Sequence, residues 1–132
     1  MKTNDTRQNA HHEIDHIFKE LLSTKGMAER PAQIALSHRM LDAMLDGGIA
    51  LCDAGTGIGK TYAYLVAGAV FHRCKAASGQ TCKPLLISTS SIALQNAVLN
   101  EYLPLLSQVL MSDGLLVHPL RVVAGAARVS VW

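Results

Sequence analysis

Residues 54–61 read Ala-Gly-Thr-Gly-Ile-Gly-Lys-Thr and follow a short apolar run, Ile49-Ala50-Leu51-Cys52-Asp53. The pattern is that of a phosphate-binding loop. Gly55, Gly57 and Gly59 let the backbone turn through conformations closed to other residues, so that several N–H groups face one point. A helix starting near Gly59 adds its positive end to that point. Lys60 is expected to reach the β- and γ-phosphates, and the Thr61 hydroxyl to hold Mg²⁺. Ala54 takes the first position, where the strict pattern has glycine, while Thr56 and Ile58 fill variable positions. A glycine-rich turn between strand and helix is the bland alternative, and the apolar run before the loop argues against it.

The surrounding chain must hold this loop in place. Residues 1–10 are polar and expected to fray. From about His11 to Thr24, Ile14, Ile17, Phe18, Leu21 and Leu22 fall on one helical stripe that Gly26 ends. Pro31 suits the first turn of a second helix, which should run to about Asp46 and bury Ile34, Leu41, Met44 and Leu45 before Gly47-Gly48. The run 49–53 then reads as a strand, and residues 59–75 as a helix rich in small and apolar residues, packed on both sides. After a polar loop at 76–83, Leu85 to Thr89 reads as a second buried strand. Ser90 or Ser91 can cap the helix that follows, which should reach Tyr102 with a continuation towards Leu110. Ser112-Asp113-Gly114 is a turn, and residues 120–124 suit a third strand. This alternation predicts an α/β fold with a parallel sheet.

The whole is 132 residues, enough for one domain, with 49% hydrophobic and 17% charged residues. A net charge of +2 permits a nucleic-acid partner without arguing for one. The N-terminus lacks the apolar core of a signal peptide, and the longest apolar stretch, residues 62–71, is too short to span a bilayer. Three cysteines without a C-x-x-C suit a reducing cytoplasm and buried thiols.

Two more segments complete a pattern with the loop. Arg30-Pro31-Ala32-Gln33 lies upstream, and Leu86-Ile87-Ser88-Thr89-Ser90-Ser91-Ile92-Ala93-Leu94-Gln95 downstream. In this order and spacing the chain resembles, over about residues 12–122, the N-terminal part of DinG-type DNA helicases, relatives of XPD in helicase superfamily 2. The resemblance implies an incomplete RecA-like nucleotide-binding domain over residues 29–124. A polar tail and amphipathic helix (1–28) precede it, and an atypical tail (125–132) follows. It implies that Gln33 reads the adenine edge, as an amide that donates and accepts can, with Arg30 as companion. Ala54 agrees with the family's loop, Ala-Gly-Thr-Gly-x-Gly-Lys-Thr. Lys60 and Thr61 match its phosphate and metal residues. Thr89, Ser91 and Gln95 match a segment that lies against single-stranded DNA. The implied ligands are ATP and Mg²⁺.

Much of the family's machinery is not in this chain. The Asp-Glu-x-His box that holds Mg²⁺ and polarises the attacking water has no counterpart, since Glu101 and Asp113 are the acidic residues after Thr61. The second motor domain with its arginine finger is missing too. Cys52, Cys74 and Cys82 all precede the DNA-facing segment, so no iron–sulfur cluster is expected. The last eight or so residues read as foreign to the family, as if a longer frame had been cut or shifted. Loss of a general base costs about 10²–10⁴ in rate, and loss of an arginine finger about 10³–10⁵. Weak Mg-ATP binding, negligible turnover and no unwinding are therefore expected of this chain alone. Strand 49–53, without neighbours encoded later, is expected to have unpaired edges.

The sequence also admits rival readings. His12-Glu13-Ile14-Asp15-His16 spells the zinc-protease signature H-E-x-x-H. Its histidines fall opposite the apolar stripe, and no third ligand follows, so a solvated helix face is preferred. His38, His72 and His118 read as isolated, Tyr62 and Tyr64 as packing residues, and Arg73, Lys75 and Lys83 as an ordinary solvated loop flank. A small P-loop kinase would need a lid of arginines and an acceptor site, and neither is evident after residue 95. A non-catalytic fragment with a relic loop is the remaining alternative.

Overall fold

The computed structural model describes residues 2–52, 59–125 and 128–131. Of the expected phosphate-binding loop, Ala54, Gly55, Thr56, Gly57 and Ile58 lie outside the described residues, and Gly59, Lys60 and Thr61 within them. The chain divides into two compact units, residues 1–82 and 83–132.

The first unit is helical. Helix α1 spans Lys2–His16, so the polar N-terminal segment is ordered as helix instead of frayed. It continues through a wide π turn, Ile17–Leu21, and a tight 3₁₀ turn, Leu22–Lys25. Gly26 stops it at φ +80°, a conformation that glycine adopts without strain. Helix α2 spans Pro31–Asp46 as the sequence predicts, with Pro31 in its first turn and Gly47 at φ +66° beyond its end. Helix α3 spans Lys60–Ala77 and packs on both α1 and α2. Its middle, Leu65, Val66, Ala67, Ala69 and Val70, is buried all round, as a helix sandwiched between two others must be. Ile14, Ile17, Phe18 and Leu22 from α1 and its extension, with Ile34, Leu36 and Leu41 from α2, fill the rest of this core. Leu21, Met44 and Leu45 are only half-buried.

In the second unit, Ser91 caps helix α4, Ile92–Ala97, by accepting a hydrogen bond from the Leu94 amide at 3.1 Å. A π turn, Val98–Tyr102, joins α4 to α5, Leu103–Ser112. Pro104 explains the wide turn. Its ring brings no N–H and crowds the preceding turn, and one extra residue per turn relieves both. Val98, Leu103, Leu106, Val109 and Leu110 form this unit's core. The buried Ser107 hydroxyl accepts from the Leu120 amide at 2.9 Å and anchors the chain after α5.

The parallel α/β sheet is not what the structure contains. The described residues are mostly helical, and their strands are three short segments: β1 Leu86–Ile87, β2 Val123–Gly125 and β3 Arg128–Val131. They form an antiparallel sheet in the order β1-β3-β2, with Leu86 opposite Val131 and Val123 opposite the same residue. Residues 49–52 are irregular, and Ile49 and Leu51 are 93% and 94% exposed. A β-strand exists only as a paired state. Among the described residues none pairs with 49–52, so the apolar run keeps no strand. For the same reason the expected strand 85–89 shrinks to two residues, and the one expected at 120–124 begins only at Val123.

Ser37 is wholly buried and donates from Oγ to the Ala63 carbonyl oxygen at 2.9 Å, tying α2 to α3. Ser37→Ala should lower unfolding free energy by about 1 kcal/mol. The check is a shift of the urea midpoint at constant slope; an unmoved midpoint would show that the bond contributes nothing.

Candidate nucleotide site

Gly59 stands at the start of α3 with φ +76°, and its carbonyl accepts the first helical bond, from the Ala63 amide at 3.3 Å. The same carbonyl accepts a second hydrogen bond, from Gln33 Nε2 at 2.9 Å. Gln33 is only 2% exposed, although glutamine is ordinarily a surface residue. It reaches Gly59 from the first turn of α2, where Arg30 is the residue before the helix and Pro31 fixes its entry. A Cβ built on Gly59 would collide with Gln33 Nε2 and lie 3.6 Å from Arg30 Nη1. The Arg-x-x-Gln segment and the end of the phosphate loop, 26 residues apart in sequence between Gln33 and Gly59, thus meet at one point.

The first-turn amides of α3 have no partner within the helix, by the geometry of any helix start, and they carry its positive end. Lys60 is exposed there and Thr61 half-buried beside it. The arrangement offers a dipole, a cation and a hydroxyl at one place, which is the donor set an anionic, metal-bound phosphate takes.

The DNA-facing residues matched in sequence lie in the second unit. Thr89 and Ser91 are exposed and Gln95 is half-buried. Thr89 Oγ1 accepts from the Ser91 amide at 3.1 Å, and Ser91 Oγ caps α4. Both hydroxyls therefore shape the turn into the helix. An open apolar groove of about 570 Å³ in the same unit, walled by Leu99, Leu103, Met111 and Leu120, contains none of the matched residues.

The H-E-x-x-H match is structural. Glu13 forms an ion pair with Arg73 of α3, His16 pairs with Glu20 at 2.7 Å, and His12 is exposed. Arg73 is therefore a tie between helices and not a solvated loop flank. Among the described residues no group of three or more metal-ligating side chains is present. Burial pushes the Cys74 and Cys82 thiols up, which keeps them protonated and poorly nucleophilic. Cys52, expected buried, is exposed.

His38 is not isolated, and here the sequence reading missed a cluster. On α1, Arg7, His11 and Asp15 stand four residues apart, and on α2 so do His38, Asp42 and Asp46. Arg7 pairs with Asp46 and lies 3.5 Å from Asp42, His11 Nε2 meets Asp42 Oδ1 at 2.7 Å, and His38 Nε2 meets Asp15 Oδ1 at 2.7 Å. The i, i+4 spacing on both helices was the signal that could have found it.

No protein-family model matches the chain, and no solved structure matches it. Curated relatives do. The chain is 30% identical over 97 residues to the 3'-5' exonuclease DinG of Staphylococcus epidermidis, covering 74% of this chain and 10% of the relative. It is 27% identical over the same length to the 3'-5' exonuclease DinG of Staphylococcus aureus, again covering 74% and 10%. Over that span the chain is DinG-like, and it spans about a tenth of the length of the curated relatives it matches.

Gly59→Ala should displace the Gln33 amide and force a side chain into the left-handed region, costing about 1–3 kcal/mol of stability. Chemical denaturation measures this, and a fully stable variant would mean that the contact with Gln33 is not maintained in solution.

Proposed function

We propose that this chain is the Mg-ATP-binding segment of a DinG-type, ATP-dependent DNA helicase. The observation that carries the reading is the junction of Gln33, Arg30 and Gly59 at the head of α3, next to Lys60 and Thr61. The curated resemblance supports the same family. In this reading the amides at the start of α3 and the Lys60 ammonium hold the β- and γ-phosphates. The Thr61 hydroxyl holds Mg²⁺, which supplies charge neutralisation at the phosphates. Gln33, already fixed by its amide N–H to Gly59, keeps its carbonyl oxygen as the acceptor for the amino group of adenine.

Thr89, Ser91 and Gln95 are proposed to lie along single-stranded DNA, with their polar side chains towards its backbone. The matched curated proteins are named as 3'-5' exonucleases. A nuclease centre of the two-metal kind uses clustered carboxylates, whereas the motifs matched here grip phosphate through amides and a lysine. Nucleotide binding is therefore the role assigned to this segment. With no Asp-Glu-x-His box in the sequence, binding without appreciable turnover is the proposed behaviour of the chain by itself.

Titration with Mg-ATP tests the proposal. Lys60→Ala removes a charge-assisted contact of about 1.5–3 kcal/mol and should weaken binding by roughly 10- to 100-fold. Lys60 is an exposed residue, so the variant should fold. Equal affinity for the two proteins would favour a relic loop. ATP-driven transfer to a small acceptor would favour a kinase.

A further inference from the structure

Where α1 meets α2, His11 Nδ1 and His38 Nδ1 lie 2.6 Å apart. The ring centroids are 4.8 Å apart and the planes differ by 24°. The centroid separation is that N···N distance plus about one ring radius on each side, so the imidazoles meet edge to edge, nearly coplanar. Each ring's other nitrogen faces a carboxylate oxygen at 2.7 Å, Asp42 for His11 and Asp15 for His38. An ionised carboxylate can only accept, so both Nε2 atoms carry protons. Two neutral imidazoles so arranged would point bare Nδ1 lone pairs at each other.

We propose that His11 and His38 bind one additional proton between their Nδ1 atoms, making the α1–α2 seam a latch that is closed when protonated. Three protons on two rings give the pair one positive charge, which Asp15 and Asp42 flank. The tautomers follow from the partners, since neither carboxylate can serve as a donor. A bridging metal ion is the competing occupant. The carboxylate behind each imidazole is the usual support of a metal ligand, but a metal bonding both nitrogens at about 2.0–2.1 Å would spread them well beyond 2.6 Å. The short separation favours the proton.

The other charges around the seam are accounted for. On its own helices, Arg7 is held by Asp46 and Asp42. From α3, packed against both, Arg73 is held by Glu13, and Cys74 feels the charge of Arg7. His72 of α3 is less basic than an ordinary histidine because burial disfavours its charged form. It contributes stability that is lost as pH falls, opposite in sign to the latch. The latch consists of the shared proton itself, so its contribution is absent wherever the two Nδ1 atoms hold none between them. Comparing variants at each pH cancels the His72 contribution.

The test is the melting temperature of the full chain against His38→Gln from about pH 6 to about pH 8.5, the range in which histidines discharge. The wild type should melt higher by about 4–8 °C at the acid end, and the gap should close at the alkaline end. Imidazole ¹⁵N NMR of the wild type alone gives a second readout that needs no folded variant. Near the acid end the two Nδ1 nuclei should be coupled through one proton, and the coupling should vanish as pH rises. A gap that is the same at every pH, or uncoupled rings throughout, would overturn the proposal. Stabilisation by Zn²⁺ at the alkaline end, in wild type and not in His38→Gln, would overturn it in favour of a metal.

Discussion

Two hydrogen bonds from buried side chains to the backbone carry the architecture of the first unit. Gln33 donates to the Gly59 carbonyl and Ser37 to the Ala63 carbonyl, both from one side of α2 to the first turn of α3. They stand four residues apart on both helices, one turn of each. That double tie sets the rotation of α3 about its axis, and with it where Lys60 and Thr61 emerge. A slip of α2 along α3 would leave two buried polar groups without partners, a cost of about 1–3 kcal/mol each. Polar specificity here does what the small apolar residues of α3 cannot do. Alanine and glycine on a helix permit close approach, but they fix no register.

The same unit shows what the tie does not secure. Ahead of the loop, Ile49 and Leu51 stand almost fully exposed. These are the residues most suited to a buried strand, and the described chain gives them nothing to pair with. The ordered half of the unit is the helical half, where α2 and α3 hold their geometry by mutual packing.

Helices were legible because their signals are local. Pro31 and Gly47 bracket α2, Gly26 ends the first helix, and Ser91 caps α4, each through backbone geometry that a few neighbouring residues decide. Family resemblance implied only that Gln33 reads an adenine edge with Arg30 as companion, and a sequence alone could not have shown that Gln33 would be buried against the Gly59 carbonyl. Strands failed because pairing is non-local. Leu85 to Thr89 has the composition of a strand, yet only Leu86 and Ile87 find a partner, and that partner runs antiparallel. The His11–His38 cluster is not legible in the sequence because its members lie on two helices, whereas His12 and His16 share one and match a motif by spacing alone. His11 becomes meaningful only when α1 is laid against α2, where each step of four on one helix meets a step of four on the other.

In the proposed reading the start of α3, with Gln33 seated on Gly59, grips a nucleoside triphosphate. Amide NMR of the full chain, titrated with a magnesium complex of a non-hydrolysable ATP analogue, addresses it most directly. The backbone amides of Gly59, Lys60 and Thr61 and the side-chain amide of Gln33 should move together and saturate at one concentration. An unchanged spectrum at saturating nucleotide, or shifts confined to residues 83–122, would contradict it.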